Sequence, residues 1–160
     1  KYMYTNIKYQ QDSEKKILLV DDEIYNIEAL KGILESHFRL EPIEEICHNA
    51  MDGKSALNEI ISNIGVNNGA FCNYQLIMMD CQMPVMDGYQ ATQMIRDYIY
   101  SKKLPQPIII AVTGHCEDSY VKRAIASGMN EVSSKPIDLK LIKEVLIKLK
   151  YISWIQMDPK

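Results

Sequence analysis

No stretch of the chain is apolar for anything near the roughly 18 residues a membrane span needs, and no signal peptide is visible at the start. Together these predict a domain with no direct membrane contact. An excess of basic charge is also missing. Lys and Arg number 18 against 21 Asp and Glu, a net charge of -3, which leaves no electrostatic footprint for nucleic acid. The four cysteines, Cys47, Cys72, Cys81 and Cys116, lack CxxC spacing and make no metal-ligand pattern with His37, His48 or His115. A chain of 160 residues that is 47% hydrophobic builds a core without disulfide staples, so the thiols read as reduced and the domain as cytoplasmic. Nothing repeats at a fixed period. The first residue is Lys1 rather than Met, and the chain reads as a fragment of a longer protein or a processed form.

What is present is an alternation of two apolar patterns. Residues 1–14 are polar and tyrosine-bearing, a lead-in or linker; the domain is expected over 15–150, with 151–160 as a C-terminal tail too short for a DNA-binding module. Lys16–Val20 is a short apolar run, the signature of a buried strand. Ile24, Ile27, Leu30 and Leu34 then recur at helical spacing, predicting a helix from about Glu23 to Ser36. Residues 45–49 are a weaker strand. Ala56, Leu57, Ile60, Ile61 and Ile64 mark a second helix, which ends in a loop over 65–73. Strands follow at 75–79, 107–112 and 131–134, with helices after the turn that Pro84 and Gly88 bracket, to about Tyr100, from Glu117 to Ser127 with Gly128 as its cap, and after Asp138. Five strands alternating with five helices predict βαβ units and a parallel sheet.

In such sheets ligands bind beyond the carboxyl ends of the strands. Here those ends carry Asp21 and Asp22, then Asp80, then Thr113 and Gly114, then Lys135. Three carboxylates brought together repel one another, and a hard divalent cation, Mg²⁺ or Mn²⁺, relieves the repulsion while keeping waters free for exchange. A carboxylate can act as nucleophile and become an acyl phosphate. A lysine binds phosphate as a point charge, and a hydroxyl with nearby N–H groups can hold the remaining oxygens. The set reads as a phosphoryl-transfer site built on a carboxylate.

Val20-Asp21-Asp22-Glu23, Met79-Asp80-Cys81-Gln82-Met83-Pro84 with Met86-Asp87-Gly88, Ala111-Val112-Thr113-Gly114 and Ser134-Lys135-Pro136 resemble the two-component receiver domain, and most closely the receivers of hybrid histidine kinases. The resemblance covers about residues 16–150. It implies a flavodoxin-like, doubly wound α/β fold with strand order 2-1-3-4-5. It implies that Asp80 accepts a phosphoryl group from a histidine kinase or a histidine phosphotransfer protein. Asp22, Asp80 and the backbone carbonyl of Gln82 would hold Mg²⁺, with Asp21 assisting through water. Lys135 would pair with the phosphoryl group, Thr113 would turn inward to it, and Gln82 and His115 would tune its lifetime. Family members also pair through their fourth helix, fifth strand and fifth helix, which leaves a homodimer open. The domain itself is then a phosphoacceptor that dephosphorylates itself, within a parent that is a histidine kinase.

Each residue has a plainer reading. An acidic pair after a strand often complements a helix dipole, Thr113 could cap a helix, and Lys135-Pro136 could be a loop with a cis bond. It is the ordered combination that outweighs them. The alternatives are a stand-alone response regulator, a haloacid-dehalogenase-type phosphatase, and a degenerate receiver kept for docking. The phosphatase would place its nucleophile on the first strand as DxD, whereas that strand ends in Asp21-Asp22-Glu23. One departure from the family is Val132, where an aromatic residue is usual three positions before the lysine.

Overall fold

The computed structural model describes residues 15–153. The expected lead-in at 1–14 and residues 154–160 of the expected tail lie outside the described residues. Five strands, β1 (Lys16–Val20), β2 (Cys47–Ala50), β3 (Tyr74–Met79), β4 (Ile108–Thr113) and β5 (Glu131–Ser134), form one parallel sheet in the order β2-β1-β3-β4-β5. The helices are α1 (Ile24–Ser36), α2 (Ile43–Ile46), α3 (Gly53–Val66), α4 (Gly88–Ser101), α5 (Asp118–Ala126) and α6 (Leu139–Lys148). There are six among the described residues where the sequence pattern predicts five. The additional one, α2, is a single turn after the cis Glu41–Pro42 bond, too short to leave a periodic signal. It also moves the start of β2 from the expected residue 45 to Cys47.

Two apolar layers enclose the sheet. Leu18, Val20, Ile77, Met79, Ile109 and Ala111 face α3 and α4, while Ile17, Leu19, Leu76, Met78, Ile110 and Val112 face α1 and α6. Alternation along each strand divides the side chains between the layers, and because both faces are covered β1, β3 and β4 read as continuous apolar runs. α3 continues through Gly65 to Val66, past the expected loop boundary. Asn63, Asn67 and Asn73 then lock the connection: the Asn63 and Asn67 amides donate to Asn73 Oδ1 at 3.0 and 2.7 Å. Asp138 caps α6 as expected, accepting from the N–H groups of Lys140 and Leu141. Gly128 follows α5 with φ at 105°, which a side chain would resist. The packed body continues past residue 150: Ile152 is buried and the Tyr151 hydroxyl donates to the Lys16 carbonyl at 2.8 Å. No helix among the described residues is long and apolar enough to cross a membrane.

The lower rim of the sheet is tied by one side chain. Arg96 on α4 donates to the carbonyls of Gly128 and Pro107 and to the side-chain oxygens of Gln106 and Asn130, at 2.6 to 3.1 Å. Every one of these acceptors is neutral, so the fork serves geometry, and burial pulls its pKa down. Asn130 in turn accepts from the Ile109 N–H, anchoring the entry to β4. Hydrogen bonds from a charged donor are each worth about 1.5–3 kcal/mol. We expect Arg96→Ala to lower the unfolding free energy by about 2 kcal/mol or more in urea denaturation.

Candidate functional site

Register carries the acids together. In the β1–β3 ladder Val20 lies opposite Met79, and the Asp80 N–H donates to the Val20 carbonyl at 2.8 Å. The residues that follow each strand, Asp21-Asp22 and Asp80, are therefore neighbours. Their carboxylate oxygens offer a set lying within 4.8 Å of one another, Asp21 and Asp80 buried and Asp22 exposed. β4 is the next strand, and β5 pairs with it so that Thr113 lies opposite Ser134 and the Lys135 N–H donates to the Thr113 carbonyl at 3.0 Å. The chain is cis at Lys135–Pro136. All five side chains expected at the strand ends thus gather at one edge.

Gly88 closes the turn after Asp80. Its N–H donates to the Cys81 carbonyl at 3.0 Å, and a Cβ there would collide with the Asp80 carbonyl oxygen. Gly53 plays the matching part for α3, where a Cβ would stand 2.6 Å from the Met86 carbonyl oxygen. Asp87 caps α4 through the Gln90 N–H at 2.8 Å.

The three acids have unequal surroundings. Asp21 accepts from the Glu23 N–H at 2.9 Å, from the Asn26 amide at 3.1 Å on each oxygen, and from Lys135 Nζ at 2.9 Å. Asp80 has a longer contact with Lys135, 3.6 Å, and a 3.4 Å bond from the Gln82 N–H. Burial pushes the Asp80 carboxyl above the usual range; Lys135 opposes this, and Asp21 and Asp22 add to it. Partial burial works against the Lys135 ammonium, but its hydrogen bond to Asp21 and the charge of Asp80 outweigh it and raise its pKa. An all-oxygen donor set holding surplus negative charge suits a hard divalent cation.

Thr113 is buried and its hydroxyl accepts from the His115 N–H at 3.1 Å. Gly114 and His115 are exposed, and the His115 ring stacks on Tyr120 with centroids 4.9 Å apart. Gln82 is exposed beside Asp80. Val132 is partly buried against the α3–α4 layer. Sequence reasoning missed Asn26, whose position one turn into α1 carries no signal until α1 is laid beside the strand end. It also missed Tyr120, whose spacing from His115 matters only once α5 begins at Asp118.

A family model described as the response regulator receiver domain matches residues 17–147. The chain is similar to the osmosensing histidine protein kinase SLN1 of Saccharomyces cerevisiae, 37% identical over 147 residues that cover 88% of this chain and 11% of that protein. It spans about a tenth or less of the length of the curated relatives it matches. The receiver domain of the histidine kinase CKI1 from Arabidopsis thaliana, complexed with Mg²⁺ and BeF3⁻, aligns with a TM-score of 0.68 at 28% identity, covering 88% of this chain and 95% of that one. A chain of the co-crystal structure of the Saccharomyces cerevisiae histidine phosphotransfer protein Ypd1 with the receiver domain of its downstream response regulator Ssk1 aligns with a TM-score of 0.63 at 27% identity, covering 84% of this chain and 87% of that one.

A carboxyl whose pKa is higher folded than unfolded contributes its full stability below the unfolded value, and that contribution is lost as pH rises through the folded one. Asp80 is such a group, and Asp80→Asn has no charge to lose stability by. In EDTA, Asp80→Asn should melt above the parent at about pH 7, and the gap should close towards about pH 4. Thermal denaturation across that interval checks it; a constant gap would contradict the burial of this acid.

Proposed function

The chain belongs to the response regulator receiver domain family, and from that premise we propose that Asp80 accepts a phosphoryl group from a phosphohistidine. The observation that carries this is the placement of one buried carboxylate between two further acids and a lysine at 3.6 Å. An Asp80 carboxylate oxygen attacks phosphorus. The new O–P bond forms as the P–N bond of the donor breaks, and the imidazole leaves with that electron pair. Water later attacks phosphorus, the O–P bond breaks, and carboxylate and inorganic phosphate are released with a proton to solvent.

Mg²⁺ or Mn²⁺, held by Asp22, Asp80 and the Gln82 carbonyl with Asp21 assisting, would neutralise charge on the phosphoryl oxygens. The chain's own groups do the rest. Lys135 is a fixed cation beside the nucleophile and can move from Asp21 to the phosphoryl oxygens. The Thr113 hydroxyl and the Gly114 N–H lie at the neighbouring strand end, suited to the remaining oxygens. Gln82 and His115 flank the site and would govern how readily water enters.

The parent fits a hybrid histidine kinase and the donor a histidine kinase domain or phosphotransfer protein, since the matched relatives include much longer histidine kinases and one matched structure pairs a phosphotransfer protein with a receiver domain. A cytoplasmic domain follows from that reading, as does a homodimer through α5, β5 and α6 as a further option. A stand-alone regulator would use the same chemistry. A docking-only receiver would have no use for the full acid set, and the family match sets the phosphatase aside.

The donor must bring its histidine to Asp80, so its footprint includes the rim of the site. Beside Asp21 and Lys135 a cavity of about 160 Å³ opens between α1 and the β5–α6 turn, lined by Ala29, Leu30, Ile33 and Ile137. Ile24 and Tyr25, in the first turn of α1, are exposed.

Incubation with acetyl phosphate and Mg²⁺ should add one phosphoryl mass to the intact chain, and EDTA or Asp80→Asn should abolish it. Modification that persists in the variant would overturn the assignment. Ala29→Arg, which fills the cavity mouth, should slow transfer from a phosphohistidine protein at least about tenfold, in line with loss of a docking contact. The rate with acetyl phosphate should stay at the parent value.

A further inference from the structure

We propose that Tyr120, acting through the His115 ring, is a positioning residue that holds Thr113 in its resting orientation. The inference rests on the phosphoacceptor reading of Asp80. The Thr113 side chain is buried, and its hydroxyl accepts from the His115 N–H at 3.1 Å. His115 itself stands in an exposed turn. Its ring is fixed by the stack on Tyr120, with centroids 4.9 Å apart and planes at 27°. Glu117 lies 3.9 Å from its Nδ1. Tyr120 belongs to the first turn of α5, where its N–H donates to the Glu117 carbonyl at 2.9 Å.

A threonine bonded in this way has its χ1 rotamer set, because β-branched side chains occupy few wells. A turn of the hydroxyl toward a phosphoryl group on Asp80 would draw it off the His115 amide. Whatever stabilises that amide's position stabilises the resting state alone. The stack is such a contact, and by linkage a group that binds only the turned state must work against it. Val132 strengthens the assignment. The β5 position holds an aliphatic side chain packed into the α3–α4 layer, so no ring on β5 is available to follow the threonine. The ring pair attached to Thr113 is instead His115–Tyr120, and it leads to α5.

Beryllofluoride with Mg²⁺ serves as the phosphoryl mimic, titrated into the full chain. A stacked pair is worth about 0.5–1.5 kcal/mol, equivalent to about two- to tenfold in affinity. Tyr120→Ala should therefore bind beryllofluoride about threefold tighter or more, whereas Tyr120→Phe, which keeps the ring, should match the parent. His115→Ala should behave as Tyr120→Ala, and the double variant should add nothing further. In ¹⁵N spectra the amides of α5 should shift on binding in the parent and in Tyr120→Phe, and stay in place in Tyr120→Ala. A merely structural tyrosine would lower the melting temperature and leave affinity alone. Unchanged or weaker affinity in Tyr120→Ala overturns the proposal whatever α5 does. A parent that binds no beryllofluoride at all marks instead the failure of the phosphoacceptor reading on which the inference stands.

Discussion

Negative charge has to be kept at the buried end of a hydrophobic sheet, and the arrangement of the site answers to that constraint. β1 and β3 are apolar on both faces, and each runs directly into an acid. Their register makes those acids neighbours, and the apolar layers beneath them hold the local dielectric down, so their repulsion is felt more than it would be in water. Among the described residues Lys135 is the one cation in contact with both buried carboxylates, and it approaches Asp21 more closely than Asp80. The result is an acid that burial keeps above its usual pKa, poised to gain from any added cation.

The backbone enforces this proximity. The Asp80 N–H is spent on Val20, and the Lys135 N–H on Thr113, so both side chains leave the sheet at fixed heights. Gly88 and Gly53 let the β3–α4 turn fold down onto its neighbours, where any Cβ would force backbone apart. These restraints come from strands and tight turns rather than from long loops, which is the condition for holding the Asp80 carboxylate steady.

Much of this was legible in the chain. Strands buried on both faces stand out as runs of Ile, Leu, Met and Val, and the residues at their ends can be named from the sequence. The alternation of elements then implied a parallel sheet, and the strand order came from the family resemblance. What could not be read depends on contacts between elements distant in sequence. α2 is one turn long. Arg96 looks like an ordinary polar position on α4, and only the return of the 128–130 segment shows that it clamps the sheet's rim. Thr113 could be named from its place at the end of β4, but its bond to the His115 amide depends on the turn that follows. Val132 was visible as a departure, whereas its packing into the α3–α4 layer was not.

The unequal treatment of the three acids also bears on how the charge can be rearranged. Asp21 receives a backbone N–H, an amide donating to both oxygens and the lysine, so its carboxylate is well satisfied where it stands. Asp22 faces solvent, and among the described residues Asp80 has one backbone donor, at 3.4 Å, beside the lysine at 3.6 Å. A buried anion with few donors is the costly member of such a group. New positive charge or new donors therefore act most strongly at Asp80, while Asp21 can release Lys135 and still keep its Asn26 and Glu23 partners. In the mechanism we propose, the lysine is the mobile charge of the site, and Asn26 keeps Asp21 partnered once it has left.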